Sequence, residues 1–358
     1  MLTALAMAAS MAACGDKKTD ETAADSTEVA MTEAGTESTE AETESEEVLP
    51  EGMYRSELTN ELIDESLKNQ RPIAVMVDNE SIALPHYGLS QADVVYEMMN
   101  STLNGRITRF MVLVKDWENI KQLGSIRSVP TNILIASEWN AVICHDGGPF
   151  YIDEYMADPS VDNFSGTFSR VDNGKSREYT EYILPGDLDK NFENSGVSKE
   201  YTSYYEGPHY QFASESNPVD LSSAPDAIDA NTVDLPFPHN GSYLEYNADD
   251  QLYYYSEYGK AHVDPGNDNK QLCFKNLLIQ SCGYTQYDEH GYLIFDCVSQ
   301  GGGYYVTNGK AIPVTWKKEK MTSPTRYYDA AGNEIKINTG KTYVGFVPVD
   351  DWLDLVIE

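Results

Sequence analysis

Two short stretches of the chain set arginine among small hydroxyl residues and glycine: "GRITRF" (Gly105 to Phe110) and "LGSIRSVPTNI" (Leu123 to Ile133). Guanidinium groups, hydroxyls and free backbone N–H groups are the chemistry of phosphate or carboxylate binding. If a helix begins near Val129, the turn from Gly124 to Ser128 lies at its N-terminus, where unpaired N–H groups attract anions. Arg127, Ser125 and Ser128 would then meet Arg106, Thr108 and Arg109 of the upstream stretch in one anion pocket. In an extended segment Arg106 and Thr108 share a face and Arg109 takes the other. Arg109 therefore sits at a sheet end or is buried against an acid, with Asp78 of "MVDN" or Glu97 of "VVYEMM" the expected counter-ion. The bland alternative is that these arginines staple the fold through internal ion pairs.

Three further groups have catalytic character. "HDGGP" (His145 to Pro149) places a His-Asp pair before two glycines, at the kind of strand end where α/β proteins hold ligands. His145 could act as a general base, with Asp78 or Glu97 as acid or base beside the arginines. "AHVD" puts His262 and Asp264 two residues apart on one face, half of a metal site, but two ligands are too few. The sequence therefore calls for no metal and no cofactor.

The elements that must carry these groups belong to a chain of 358 residues with 58 acidic and 25 basic side chains, a net charge of −33. That charge repels nucleic acid and anionic membrane surfaces, which excludes binding through a broad basic patch. The first residues, "MLTALAMAASMAACG", are an apolar run too short to span a bilayer, ending in small residues and Cys14. Residues 15–50 are rich in Glu, Thr and Ser and carry no aromatic ring. Such a segment cannot bury enough apolar surface to offset its ordering entropy, and it reads as a disordered acidic tether with a reach of roughly 30 to 35 Å. Cys144, Cys273, Cys282 and Cys297 remain beyond Cys14. Cys144 reads as a buried thiol, and a bridge among the other three stays open.

"RPIAVMVDN", "ADVVYEMM", "RITRFMVLVK" and "NAVICHDGG" are apolar runs of strand length, the mark of strands covered on both faces. "IDESLKN" and "SVPTNILIASEW" read as helices. Past a Pro-, Ser- and Asp-rich stretch the pattern turns to alternation, as in the hairpin "SYLEYNADDQLYYYSEY", with the triple glycine Gly301–Gly303 as a bulge or close approach. The fold expected is α+β: an N-terminal mixed α/β sheet domain (51–213), a connection (214–240) and a smaller, mainly antiparallel β C-terminal domain (241–358).

The motifs "RPIAVMVDN", "GLSQADVVYE", "GRITRF", "GSIRS" and "HDGG", followed by "YGKAHVD", "GGGYYVTNGKAIPVTWKK" and "RYYDAAGNEIKINTGKTY", resemble in residue and order the YerB-like bacterial lipoproteins. "MAAC" (Met11 to Cys14) likewise resembles the lipobox of bacterial lipoprotein signals, residues 1–14 being the signal peptide. The resemblance implies lipidation at Cys14, an extracytoplasmic location on the cell membrane and a two-domain body; it implies no activity. Within "FSRVDNGKSREYTEYI" (Phe168 to Ile183) Arg170 matches the family pattern, but the family's histidine is missing. Two functions fit: an envelope lipoprotein binding a protein partner or an anionic or glycan ligand, and a hydrolase or transferase acting on a phosphate-bearing or glycan component of the envelope.

Overall fold

A computed structural model describes residues 48–128 and 132–358. Cys14, the apolar leader and nearly all of the acidic tether lie outside the described residues, as do Val129, Pro130 and Thr131. Residues 49–358 form one unit.

The apolar runs become the centre of a mixed sheet. Its principal strands, in chain order, are β1 (Ile73–Asp78), β2 (Val94–Met99), β3 (Thr108–Val114), β4 (Val142–His145), β5 (Asp162–Ser165), β6 (Ile228–Asp229), β9 (Asn276–Cys282), β10 (Gln300–Thr307), β11 (Lys310–Lys317) and β12 (Thr342–Pro348). Between them in sequence, β7 (Tyr243–Asn247) and β8 (Leu252–Glu257) form the expected hairpin, which belongs to a second, six-stranded sheet. The main sheet has eleven strands, ordered β6-β11-β10-β9-β12-β2-β3-β1-β4-β5, with Arg326–Tyr328 paired to β11. β12 lies parallel to both β9 and β2. The two halves expected to fold as separate sheets are therefore one sheet, joined through β12. The stretch 214–240, read as a connection, supplies β6 and the strand Thr232–Asp234.

Alternation along the central strands divides the core. Ile73, Val75 and Val77 of β1 enter one cluster with Val95, Phe110, Tyr253, Tyr255 and Tyr343. Ala74 and Met76 enter the other with Tyr96, Met111, Trp139, Trp316 and Tyr327. Each buried Val, Leu or Ile contributes about 1.5 to 3 kcal/mol, which is why the sheet needs a cover on both faces. The six-stranded sheet covers the first cluster; short helical segments and the hairpin Leu293–Phe295 cover the second.

Helix is scarce. "IDESLKN" forms a short strand and a single 3₁₀ turn, and the helix from the arginine turn is only α1 (Ile133–Ala136), continued as a 3₁₀ turn. α2 (Asp153–Met156) is as short, and α3 (Asp187–Ser195) is the longest helix among the described residues. The triple glycine pairs with β11 without a break, and the reason for glycine is close approach: a Cβ on Gly303 would lie 2.4 Å from the Ile279 carbonyl oxygen. The four described cysteines are free, with the Cys282 and Cys297 thiols in contact.

Candidate functional site

One edge of the main sheet gathers Asp78, Arg109, Arg127, Ser128, His145 and Arg170 from the residues singled out in the sequence. β1 ends there at Asp78, β3 begins there opposite it at Arg109, and parallel β4 and β5 end there at His145 and Ser165. Asp78 is fully buried and pairs with Arg127 at 2.8 Å and Arg109 at 3.5 Å. Arg109 also donates to the Ser128 carbonyl, and Arg127 reaches Glu178 at 3.0 Å. The turn is held tightly: a Cβ on Gly124, whose φ is +147°, would lie 2.9 Å from the Glu181 carbonyl oxygen. Burial lowers the Arg127 pKa, but Asp78 and Glu178 outweigh it, so the guanidinium stays charged.

Beside this group stands a second one. Arg170 bridges Asp146 at 2.8 Å and Glu181 at 2.5 Å. Two acids share one arginine, and their environments divide them. Burial and the neighbouring Asp146 carboxyl raise Glu181 from its ordinary 4.5 to about 7. Asp146 goes the other way, its hydrogen bonds to Arg170 and Glu181 overcoming the effect of burial. The pair titrates as a unit, sharing a proton near neutrality.

This predicts a pH dependence of stability. A carboxyl raised in the folded state keeps its proton where the unfolded chain has already released it, so stability falls as pH rises between about 4.5 and 7. Glu181→Gln should flatten the thermal-melting profile across that window, by up to about 3 kcal/mol and less where Asp146 titrates in the opposite sense. A variant whose melting temperature keeps the wild-type pH slope would assign the proton elsewhere.

Other expected members are placed differently. Arg106 lies before β3 with φ +63° and pairs with Asp350 and Asp351, at 3.2 and 2.7 Å. It neither shares a strand face with Thr108 nor meets Arg127. Thr108 donates to Glu97, and Ser125 is buried beside Tyr182. Both ring nitrogens of His145 face oxygens, Gly147 O at 2.8 Å and Asn163 Oδ1 at 3.2 Å. α1 has four residues, too few to sum a useful dipole. The converged guanidinium groups are thus matched by acids of the chain itself, as in the bland alternative.

Glu97 is the expected counter-ion that Arg109 does not use. It is fully buried and accepts six hydrogen bonds, from Asn79, Thr108, Asn240, Ser242, Tyr255 and Tyr343. Burial raises its pKa, against the pull of these donors. Its partners come from both halves of the chain, so its role is to hold them together.

His262 and Asp264 separate as well. Asp264 accepts from the Ser90 hydroxyl at 2.7 Å and backbone N–H at 3.2 Å. His262 instead faces Glu257 at 2.9 Å, with His86 alongside at a ring separation of 5.0 Å. One donor atom from each of His86, Glu257 and His262 lies within 4.8 Å of the others. Sequence reading missed His86 and Glu257. A signal for Glu257 exists: Tyr258 and Gly259 both have positive φ, +51° and +67°, as a two-residue type I′ turn requires. That hairpin puts Glu257 and His262 diagonally on one face.

A cleft of about 710 Å³ lies between the α1–α2 segment and the hairpin of Tyr284–Gln286 and Leu293–Phe295. Tyr155, Tyr287, Glu154, Asp158 and Asp296 are among its lining residues, and among the described residues no lysine or arginine lines it. Tyr151 stacks on Tyr287 with ring centroids 4.7 Å apart, and Phe150 beside it is 82% exposed.

Comparison with known proteins accounts for the shared motifs. Residues 58–198 match the family model described as "Protein of unknown function (DUF3048) N-terminal domain", and residues 233–344 match its C-terminal counterpart. The chain belongs to the YerB-like family. Among curated proteins it is 24% identical over 316 residues to the "Putative lipoprotein YerB" of Bacillus subtilis (strain 168), covering 84% of this chain and 86% of the relative. The crystal structure of the YerB protein from Bacillus subtilis superposes with a TM-score of 0.72 at 21% identity, covering 85% of this chain and 99% of that one. The YerB-like fold is thus shared.

Proposed function

We propose that this chain is a membrane-tethered binding protein of the bacterial envelope, lipidated at Cys14, whose ligand is a neutral, hydroxyl-rich glycan held in the tyrosine-lined cleft. The carrying observation is the composition of that cleft: tyrosine rings supported by a stack, carboxylates able to accept from hydroxyl groups, and no cationic side chain among the described residues that line it. A cavity of this size with aromatic walls and a few polar groups is suited to a small ligand or one segment of a longer one. Its acidity, together with the net charge of −33, turns away phosphate-rich polymers. The family relative described as a lipoprotein supports the tether.

One observation favours the hydrolase or transferase alternative. Two carboxyls with divided pKa values, Asp146 and Glu181, stand beside Arg170, the arrangement that separates an acid from a base. Glu181, however, has no solvent-exposed side-chain surface, and Asp78 and Glu97 are sealed from water. Binding is therefore the stronger reading.

The test is sedimentation of the full chain with insoluble, purified cell-wall glycan. Tyr287 is about half exposed and its main ring partner is Tyr151, so Tyr287→Ala should lower the melting temperature only slightly, by about 1 to 3 °C. It should weaken co-sedimentation about fivefold to tenfold, the loss of roughly 1 to 1.4 kcal/mol of ring contact. Wild-type protein remaining in the supernatant would reject the proposal.

A further inference from the structure

The most unusual chemistry in the molecule lies away from both the cleft and the charged edge. His86, Glu257 and His262 are 0%, 2% and 4% exposed. Phe110 packs edge-on against both imidazoles and Tyr255 against His262, so the surroundings are a core and not a surface. Buried polar groups ordinarily find partners. Neither ring nitrogen of His86 makes a hydrogen bond of normal geometry, although the Asp78 backbone lies near enough to act on it, and Nε2 of His262 is also unpartnered.

Charge points the same way. Glu97 and Glu257 are two buried carboxylates that share Asn240, whose amide lies 2.8 Å from Glu97 and 3.4 Å from Glu257. Among the described residues, no lysine or arginine forms an ion pair with either; His262 is the one basic partner. Two carboxylates in a dry region supported only by neutral donors carry a large desolvation cost. A divalent cation would cancel it. His86 is suited to ligation because both of its ring nitrogens are buried without a hydrogen-bond partner.

We infer that His86, Glu257 and His262 form a buried binding site for a divalent transition-metal ion, with zinc the ion that two imidazoles and one carboxylate suit best. The reach is appropriate. Zinc bonds of about 2.1 Å place tetrahedral donors roughly 3.4 Å apart. The hydrogen bond of 2.9 Å between His262 Nδ1 and Glu257 Oε1 already holds these two side chains together, and one donor atom from each of the three residues lies within 4.8 Å of the others. Side-chain adjustment of at most about 1.4 Å at the widest pair closes the set around an ion. Asn240 supplies the outer contact that holds the Glu257 carboxylate in place.

His86 belongs to the N-terminal family region, and Glu257 and His262 belong to the C-terminal one. A bound ion would therefore clamp the two regions together beside the Glu97 network. With all three donors enclosed, the ion enters as the chain folds and exchanges slowly afterwards. Its role is structural, independent of any ligand in the cleft.

The full chain, stripped with chelator during refolding and then refolded with zinc chloride, should hold one zinc per chain by elemental analysis. Zinc at about 100 times its dissociation constant should raise the melting temperature by about 5 °C over the chelated protein. His262→Ala and His86→Ala should weaken zinc binding about 100-fold or more and abolish that rise. If either variant fails to fold, Glu257→Gln keeps the volume and should show the same loss. X-ray absorption of the wild type should show imidazole scattering with no sulfur in the first shell. Zinc well below one per chain, unchanged affinity in the variants that fold, or thiolate ligation would overturn the inference.

Discussion

Glu97→Ala is expected to destabilise the protein by about 4 kcal/mol or more, a large share of the 5 to 15 kcal/mol that holds a typical domain together. Six donors converge on this carboxylate, and each donor stranded without an acceptor costs about 1 to 3 kcal/mol. They would not all be stranded. Asn79 also bonds Thr108, Asn240 also bonds Ser242, and Tyr255 also bonds the Ser242 hydroxyl. The hydroxyls of Thr108, Ser242 and Tyr343 donate to Glu97 alone, and a cavity remains where the side chain was. Glu97→Gln should cost less, about 1 to 2 kcal/mol, because the tyrosine hydroxyls can turn to accept from the new amide. Urea denaturation of both variants measures the order. A Glu97→Ala protein within 1 kcal/mol of wild type would mean that the network relaxes around the loss and does not lock the halves.

Why that lock was not readable from the sequence is a matter of range. Apolar runs of strand length reveal buried strands through local composition, and β1, β2, β3 and β4 lie within the segments expected. Pairing between distant strands leaves no local trace. β12 joins β2 across more than two hundred residues through backbone hydrogen bonds, which any apolar strand could make. The expected domain division missed this join for that reason. Helix signals misled in the other direction: Pro130 and the apolar residues after it suggested a full helix, but tertiary packing against Trp139 and the sheet admits a single α-turn followed by 3₁₀.

The charged residues divide along the same line. Asp78 is legible, with Glu97, as an acid that a buried Arg109 guanidinium requires, but only the register, which puts Asp78 and Arg109 opposite one another, decides between the two. Arg106 was misplaced because a left-handed residue before β3 turns its side chain toward Asp350 and Asp351. Glu181 and His86 carried no spacing signal: each meets its partners only through the folded chain. For Glu257 the signal was present in the alternation of β8, where it shares the buried face with Tyr253 and Tyr255, a position at which a carboxylate needs an explanation.

The opposite face of the sheet has its own buried carboxylate, and it supplies the second large effect. Successive residues of β2 point to opposite sides, so Tyr96 faces away from Glu97 and donates to Glu138 at 3.2 Å. Glu138 also meets Lys318 at 2.7 Å, His209 at 2.9 Å and the Thr325 hydroxyl at 2.7 Å. Burial alone would raise its pKa, but Lys318 and His209 pull it down to about 2. Burial lowers His209 by more than Glu138 restores, so at neutral pH the Lys318 ammonium carries the pairing. Lys318→Met should therefore cost about 3 to 5 kcal/mol at neutral pH, the usual consequence of leaving one partner of a buried pair. The pH profile separates this from a packing defect. In the wild type the ionised carboxylate contributes about 3 kcal/mol that is complete above its ordinary 4.5 and is lost as pH falls toward 2. Without Lys318 burial dominates, the carboxyl takes up its proton at higher pH, and that acid-sensitive contribution vanishes. The gap between wild type and Lys318→Met should thus narrow by about 3 kcal/mol on going from neutral pH to about pH 2, whereas a cavity effect would keep it constant. A further Glu138→Leu change in the Lys318→Met background should recover part of the loss, because it removes the stranded charge, and the double-mutant cycle reports the coupling directly.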